Sequence, residues 1–107
     1  MSISVREYLG PSGRSAYARW FQALPAPAAA KVATALYRLE LGNFSNVAGV
    51  GAGVYECKID FGPGYRIYFG KGGESLIILL GGSTKKGQQA AIAAAKKAWG
   101  DYKRAKP

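Results

Sequence analysis

Polar side chains alternate with apolar ones along residues 55–69, and they include types that bind anions or move protons. They are Glu56, Lys58, Asp60, Arg66 and Tyr68. Because strand side chains alternate between two faces, a hairpin over this segment would place all five on one face. Such a face could attract a polyanion. It could equally be a solvated surface of cross-strand ion pairs, which are worth about 0.2–1 kcal/mol each.

The chain has no histidine and a single cysteine, Cys57. Histidine is the commonest general base, so Ser-His-Asp, Cys-His and paired-histidine ribonuclease mechanisms are excluded. One cysteine cannot form an internal disulfide, and a zinc site would lack its usual ligands. Any acid–base chemistry therefore falls to Lys, Arg, Tyr, Glu or Asp. We expect Cys57 to be a core residue without a redox role.

Composition predicts one globular domain over residues 1–107 with an acidic or polyanionic partner. The 107 residues carry a formal charge of +9, with 49% hydrophobic and 20% charged residues. A large positive excess favours nucleic acid, acidic membrane or an acidic protein as partner. No apolar run approaches the roughly 20 residues that span a bilayer, so we expect a cytoplasmic protein.

Residues 62–64, Gly-Pro-Gly, separate two strand-like runs and predict a β-hairpin. The predicted cross-strand pairs are Phe61 with Tyr65, Ile59 with Ile67 and Cys57 with Phe69. This register makes one face wholly apolar, which suits packing onto a core.

Two helical patterns precede the hairpin, and one follows it. The first has its large side chains at i, i+3, i+4 and i+7: Tyr17, Trp20, Phe21 and Leu24. It ends at Pro25, and a second helix is predicted from Pro27 to near Gly42-Asn43. We expect these two to form a helical hairpin on one sheet face. A last helix is predicted over about 87 to 104.

Strands are predicted at 3–9 and 75–80, the latter apolar enough to be buried on both faces. Residues 44–53 are rich in glycine and uncharged, and we interpret them as a connecting loop. The order of elements predicts an α+β fold.

Basic residues dominate the C-terminal segment. Between residue 83 and the end they are Lys85, Lys86, Lys96, Lys97, Lys103, Arg104 and Lys106, against the single acid Asp101. Cations near the end of a helix complement its dipole, but this does not explain Lys85 and Lys86. The spacing after the Gly81-Gly82 pair is not that of a Walker phosphate loop.

Three segments resemble the RelE/ParE superfamily of type II toxin–antitoxin toxins, in particular its HigB-like "addiction module killer protein" branch. They are RLELGNF at 38–44, GVYECKIDFGPGYRIYF at 53–69 and ILLGGSTKKGQQ at 78–89. Their order and spacing are shared over almost the whole chain. The resemblance implies a small α+β domain with an antiparallel sheet of about four strands. An N-terminal helical hairpin would cover one face, a concave basic face would lie opposite, and a helix would end the chain.

The resemblance also implies an activity, which is cleavage of mRNA in the ribosomal A site without metal or cofactor. A ribose 2′-hydroxyl attacks the adjacent phosphate, which requires its deprotonation, stabilisation of the extra charge and protonation of the 5′-oxygen. By position in the family pattern, Arg66 would clamp the phosphate and Lys58 would bind phosphate or act as base. Lys85 would neutralise developing charge, and Tyr68 would stack or transfer a proton. Further RNA-binding residues would be Lys86, Lys71, Lys96 and Lys97.

Two departures from the family pattern bear on these roles. Glu56 and Asp60 share the proposed face and could neutralise Lys58 and Arg66. Ala91 stands three residues after Gln88, where many relatives have an acidic residue.

Alternatives to a ribosome-dependent nuclease remain open. The same fold hosts ParE-like inhibitors of DNA gyrase, and charge alone would suit a non-catalytic nucleic-acid-binding module. In the toxin interpretation the partners are mRNA, the ribosome and a cognate antitoxin, with operator DNA bound only through the antitoxin. No membrane partner is expected.

Overall fold

A mixed β-sheet with helices on both faces organises residues 3–105, the part of the chain that the computed structural model describes. The elements in chain order are β1 Ser4–Glu7, α1 Ala16–Gln22, α2 Ala26–Glu40, β2 Val47–Gly51, β3 Val54–Ile59, β4 Tyr65–Lys71, β5 Leu76–Thr84 and α3 Gln88–Ala105. The α+β class, the helical hairpin and the terminal helix are confirmed. Lys106 lies outside the described residues.

The sheet has five strands within this range, in the order β1-β5-β4-β3-β2. Strands β2 to β5 form an antiparallel meander, whereas β1 pairs in parallel with β5. The prediction of an antiparallel sheet of about four strands is therefore corrected to five mixed strands. The helical hairpin carries the chain from the β1 edge of the sheet to the β2 edge.

Strand β2 lies within the 44–53 segment that we interpreted as a loop. Val47 pairs with Cys57, and a register shift at Gly51 precedes the turn into β3. The segment has few residues that favour strands, so its conformation depends on hydrogen bonds to β3. Ala52 in this turn has a φ of 56°.

The hairpin of β3 and β4 has the predicted faces but a longer loop. Ile59 pairs with Tyr65 and Cys57 with Ile67, so the predicted register was wrong by two residues. Residues 60–64 form the loop, in which Gly62 and Gly64 have φ values of 55° and 82°. A shift of two residues preserves the parity, so odd-numbered residues still face one side and even-numbered ones the other.

The two helix layers cover opposite faces. Large side chains of α1 and α2 pack on the odd-numbered face of the hairpin, and Trp20 lies directly against Gly82. Helix α3 packs on the even-numbered face, with Trp99 against Gly70 and close to the buried Tyr68. The predicted polar face is thus partly covered by α3. No helix in the described part of the chain is long and apolar enough to cross a membrane.

Strand β5 is longer than predicted and runs on through Gly81 and Gly82 to Thr84. Its central residues are buried, as predicted for a strand covered on both sides. A bulge opposite Tyr68 and Phe69 shifts its register. After the bulge Ser83 pairs with Arg66, and its side chain lies on the α3 face beside Tyr68.

Candidate functional site

A buried guanidinium lies on the even-numbered face, near the hairpin-loop end of the sheet. Arg66 on β4 is only 5% exposed, and its Nε lies 3.4 Å from Oε2 of Glu56 on β3. Among the described residues, Nε and Nη1 of Arg66 are buried without a hydrogen-bond partner. Leaving a buried donor unsatisfied costs about 1–3 kcal/mol. The Nε and Nη1 groups of Arg66 could therefore donate hydrogen bonds to an anion.

Glu56 connects this guanidinium to the start of α3. The Gln88 side-chain amide donates a hydrogen bond of 2.9 Å to the same Oε2 atom that faces Arg66. Gln88 is the first residue of α3, so the contact ties that helix to β3. Sequence reasoning did not single out Gln88 for this role. Ala91, one turn later, packs against the core beneath α3, where a carboxylate would be half-buried.

Tyr68 is fully buried, and its hydroxyl lies 3.0 Å from the Ser83 hydroxyl. Burial, mainly, raises the pKa of Tyr68 above its ordinary value of 10.0, so the phenol is protonated at neutral pH. No ring surface remains on which a base could stack, so this geometry does not support the predicted stacking role. Ser83 was not predicted, although its position in the GGST segment placed it near the site.

Lys58 and Lys85 lie at the same end of the sheet as Arg66. Lys58 is the cross-strand partner of Arg66, and its side chain is exposed. The backbone amide of Lys85 donates to the Gly64 carbonyl at 3.2 Å, which places Lys85 beside the hairpin loop. Lys86 follows it and is also exposed.

The other predicted RNA-binding lysines lie elsewhere. Lys71 is on the odd-numbered face, with Nζ 4.5 Å from the Phe44 ring centre and 4.9 Å from that of Tyr55. Lys96 approaches Gly51 in the turn between β2 and β3, at the far end of the sheet. Lys97 forms an exposed 3.1 Å salt bridge with Asp101.

The fold thus gathers four of the eight predicted cations and aromatics at one end of the sheet: Lys58, Arg66, Lys85 and Lys86. Arg66 is buried beside Glu56 while the lysines are exposed. Of the cations assigned to the expected concave basic face, the three lysines are thus accessible, whereas Arg66 is enclosed. Burial raises the pKa of the Cys57 thiol to about 11, as suits a core cysteine. Within residues 3–105 no three cysteine or acidic side chains converge as a metal site would require.

Comparison with known proteins identifies one relative. No protein-family model matches the sequence. Over 69 residues the chain is 41% identical to an uncharacterized protein of Haemophilus influenzae, a match that covers 64% of this chain and 70% of that protein. The chain belongs to the same family as this Haemophilus protein. The relative's name states no activity, so a function for the family has to be argued from the site around Arg66.

Proposed function

We propose that this protein is the toxin of a type II toxin–antitoxin module and cleaves mRNA on the ribosome. The observation that carries the proposal is the Arg66 side chain. It is buried, its Nε and Nη1 have no hydrogen-bond partner among the described residues although Nε faces Glu56, and exposed lysines lie close by. An arginine fork with unused donors suits two oxygens of a phosphate. The resemblance of three sequence segments to RelE/ParE toxins supplies the substrate.

The proposed reaction is attack of a ribose 2′-oxygen on the adjacent phosphorus, which expels the 5′-oxygen of the next nucleotide. Lys58 takes the proton of the 2′-hydroxyl or holds a non-bridging oxygen, and Arg66 stabilises the charge that develops on the phosphorane. Lys85 lies beside the hairpin loop, and its ammonium group neutralises the charge on the leaving 5′-oxygen by donating a proton to it. Buried Tyr68 acts through Ser83, by orienting a hydroxyl next to Arg66.

Glu56 competes with the substrate in this scheme. Its Oε2 already lies beside Arg66 Nε and accepts from Gln88. A phosphate that binds Arg66 must therefore share the guanidinium with this carboxylate or displace it. Because Gln88 begins α3, displacement of Glu56 would loosen that end of the helix.

The test is cleavage of a defined mRNA in a reconstituted translation system. The wild-type protein should cut ribosome-bound mRNA, and Arg66→Gln should cut it about 100-fold more slowly, as expected for loss of a charge-stabilising group. Arg6→Gln, at an exposed position on β1, is the matched control and should retain activity. Absence of mRNA cuts by wild-type protein in stoichiometric excess would refute the proposal.

The partner in this proposal is a small antitoxin, with operator DNA bound only through it, in the cytoplasm. The charge of +9 favours an acidic antitoxin segment.

A second candidate, a non-catalytic nucleic-acid-binding module, is favoured by one observation. The Arg66–Glu56 ion pair is buried, as a purely structural pair would be. RNA binding unaffected by Arg66→Gln, without any cleavage by the wild-type protein, would favour this candidate.

A further inference from the structure

A groove of about 270 Å³ opens between α2, residues 43–46 and the end of β3. Cationic side chains outnumber acidic ones along it, with Lys31, Arg38 and Lys58 against Asp60. Asn46 adds a side-chain amide that can both donate and accept hydrogen bonds. The Oδ1 of Asn43 accepts from the Ser45 backbone amide at 3.1 Å, and its amide NH₂ group can donate to a ligand. The lining therefore suits an anionic ligand with further polar groups.

The topology of the sheet creates this groove. Strand β2 begins at Val47. Just before it, the backbone amide of Lys58 donates a hydrogen bond of 3.0 Å to the Asn46 carbonyl. Beyond this bond no residue of the described range 3–105 pairs with β3 on that side. Helix α2 ends at Glu40, and Gly42, with a φ of 85°, turns the chain away. The gap left between the helix and the strand end is the groove.

Ordinary structural roles do not account for its cations. Arg38 lies in the last turn of α2, where a positive charge complements the helix dipole, but Lys31 lies in the second turn, where it does not. Within residues 3–105 neither forms a salt bridge, although Lys31 Nζ lies 5.5 Å from the Phe61 ring centre. Seven residues apart, the two cations lie on the same helix face, about 10 Å apart along the axis.

Lys58 connects the groove to the candidate site. It is the cross-strand partner of Arg66 and also lines the groove. A chain of phosphates at Arg66 that passes round the end of β3 would therefore enter the groove. Only a single-stranded nucleic acid can follow this path, because a duplex is too wide to bend round the end of one β-strand.

We infer that the groove binds one nucleotide of single-stranded RNA next to the one held at Arg66. Lys31 and Arg38 contact its phosphates, and the amides of Asn43 and Asn46 contact the edge of its base, as in single-strand RNA recognition. The inference rests on the proposed function, because it states where the substrate strand continues.

The test measures binding of a fluorescent 12-nucleotide single-stranded RNA by anisotropy as salt is varied. The groove variant is Lys31→Gln with Arg38→Gln. Its matched control is Arg14→Gln with Arg19→Gln, which makes the same change of charge at exposed positions on the α1 side of the fold. All four residues are exposed, and thermal melts check that both variants fold.

The groove variant should bind at least about tenfold more weakly, and its salt slope should fall by about 1.4, since each single-strand phosphate contact contributes about 0.7. The control should stay within about threefold of wild type. Equal losses in both variants, or no loss in the groove variant, would overturn the inference. Failure of the wild-type protein to bind the RNA would also overturn the inference, even if an acidic decapeptide binds the groove instead.

Cleavage by the wild-type protein is scored separately in the translation assay. If the RNA binds through the groove but is never cut, the proposed function fails and the groove inference stands. If mRNA is cut while the groove variant binds normally, the proposed function stands and the groove inference fails.

Discussion

Replacing Glu56 by glutamine removes the partner charge of a buried guanidinium and nearly preserves the shape of the side chain. Arg66 and Glu56 side chains are 6% and 12% exposed, and Nε and Oε2 lie 3.4 Å apart. Glutamine at position 56 could still accept the hydrogen bond from Gln88, so the change isolates the charge. The stability of Glu56→Gln therefore tests whether the Arg66–Glu56 ion pair forms in the folded protein.

The magnitude follows from the separation and the burial. Two unit charges 3.4 Å apart attract by about 5 kcal/mol at an effective dielectric constant of 20, and desolvation offsets part of this. Removing one partner of a buried pair typically costs about 3–5 kcal/mol because the other charge stays buried. We expect Glu56→Gln to lower the free energy of unfolding by about 3 kcal/mol.

Urea unfolding of four proteins measures the effect: wild type, Glu56→Gln, Arg66→Met and the double variant. Replacing both charges removes the uncompensated one, so the double variant should be at least about 1.5 kcal/mol more stable than Glu56→Gln alone. The loss in Glu56→Gln should change little between low and high salt, because buried pairs are weakly screened. A fall of less than about 0.5 kcal/mol in the free energy of unfolding of Glu56→Gln would show that the ion pair does not form in the folded protein. Single-variant losses that simply add in the double variant would show the same.

Two further predictions concern packing and ionisation. Gly70→Ala and Gly82→Ala should each destabilise the protein by about 1–3 kcal/mol in urea unfolding, because the new methyl group would meet Trp99 or Trp20. Gly10→Ala should be nearly neutral, because its methyl group would make only an ordinary contact of 3.8 Å with the Arg14 carbonyl oxygen. Equal effects at all three positions would contradict this packing. The pKa of Cys57 is about 11 in the folded protein against an ordinary 9.0. Folding therefore favours the protonated thiol, whose contribution to the free energy of unfolding is complete below about pH 9 and is lost as the pH rises through 11. Between pH 8 and about pH 10.5 the stability advantage of wild type over Cys57→Ala should therefore shrink by about 2 kcal/mol, and a pH-independent difference would show that the thiol is not buried in the folded state.

The periodic parts of the fold were predictable from the sequence. Tyr17 and Trp20 have helical spacing, Pro25 separates two helices, and the alternation in β3 and β4 divides the hairpin into two faces. Such patterns survive because burial of a whole face is a large, local signal. The placement of Lys58 and Arg66 on one face followed from the same parity, whereas their direct pairing appears only in the observed register.

Features set by long-range pairing were not predictable. Strand β2 has little strand propensity and depends on β3, and the bulge that brings Ser83 beside Tyr68 arises only when β5 pairs with β4. The burial of Arg66 likewise depends on where α3 packs, and no local pattern specifies that. The contact between Gln88 and Glu56 joins residues 32 apart in sequence, so a single sequence carries no signal for it.

The most direct test of the account is cleavage on the ribosome of an mRNA in which one codon carries 2′-deoxyribose. The account predicts that wild-type protein cuts the all-ribose codon and leaves a cyclic 2′,3′-phosphate, and that a single deoxy substitution at the cut position blocks cleavage. Arg66→Gln should cut the all-ribose codon about 100-fold more slowly than wild type. Cleavage that is indifferent to the 2′-hydroxyl, or wild-type and Arg66→Gln proteins that cut at equal rates, would contradict it.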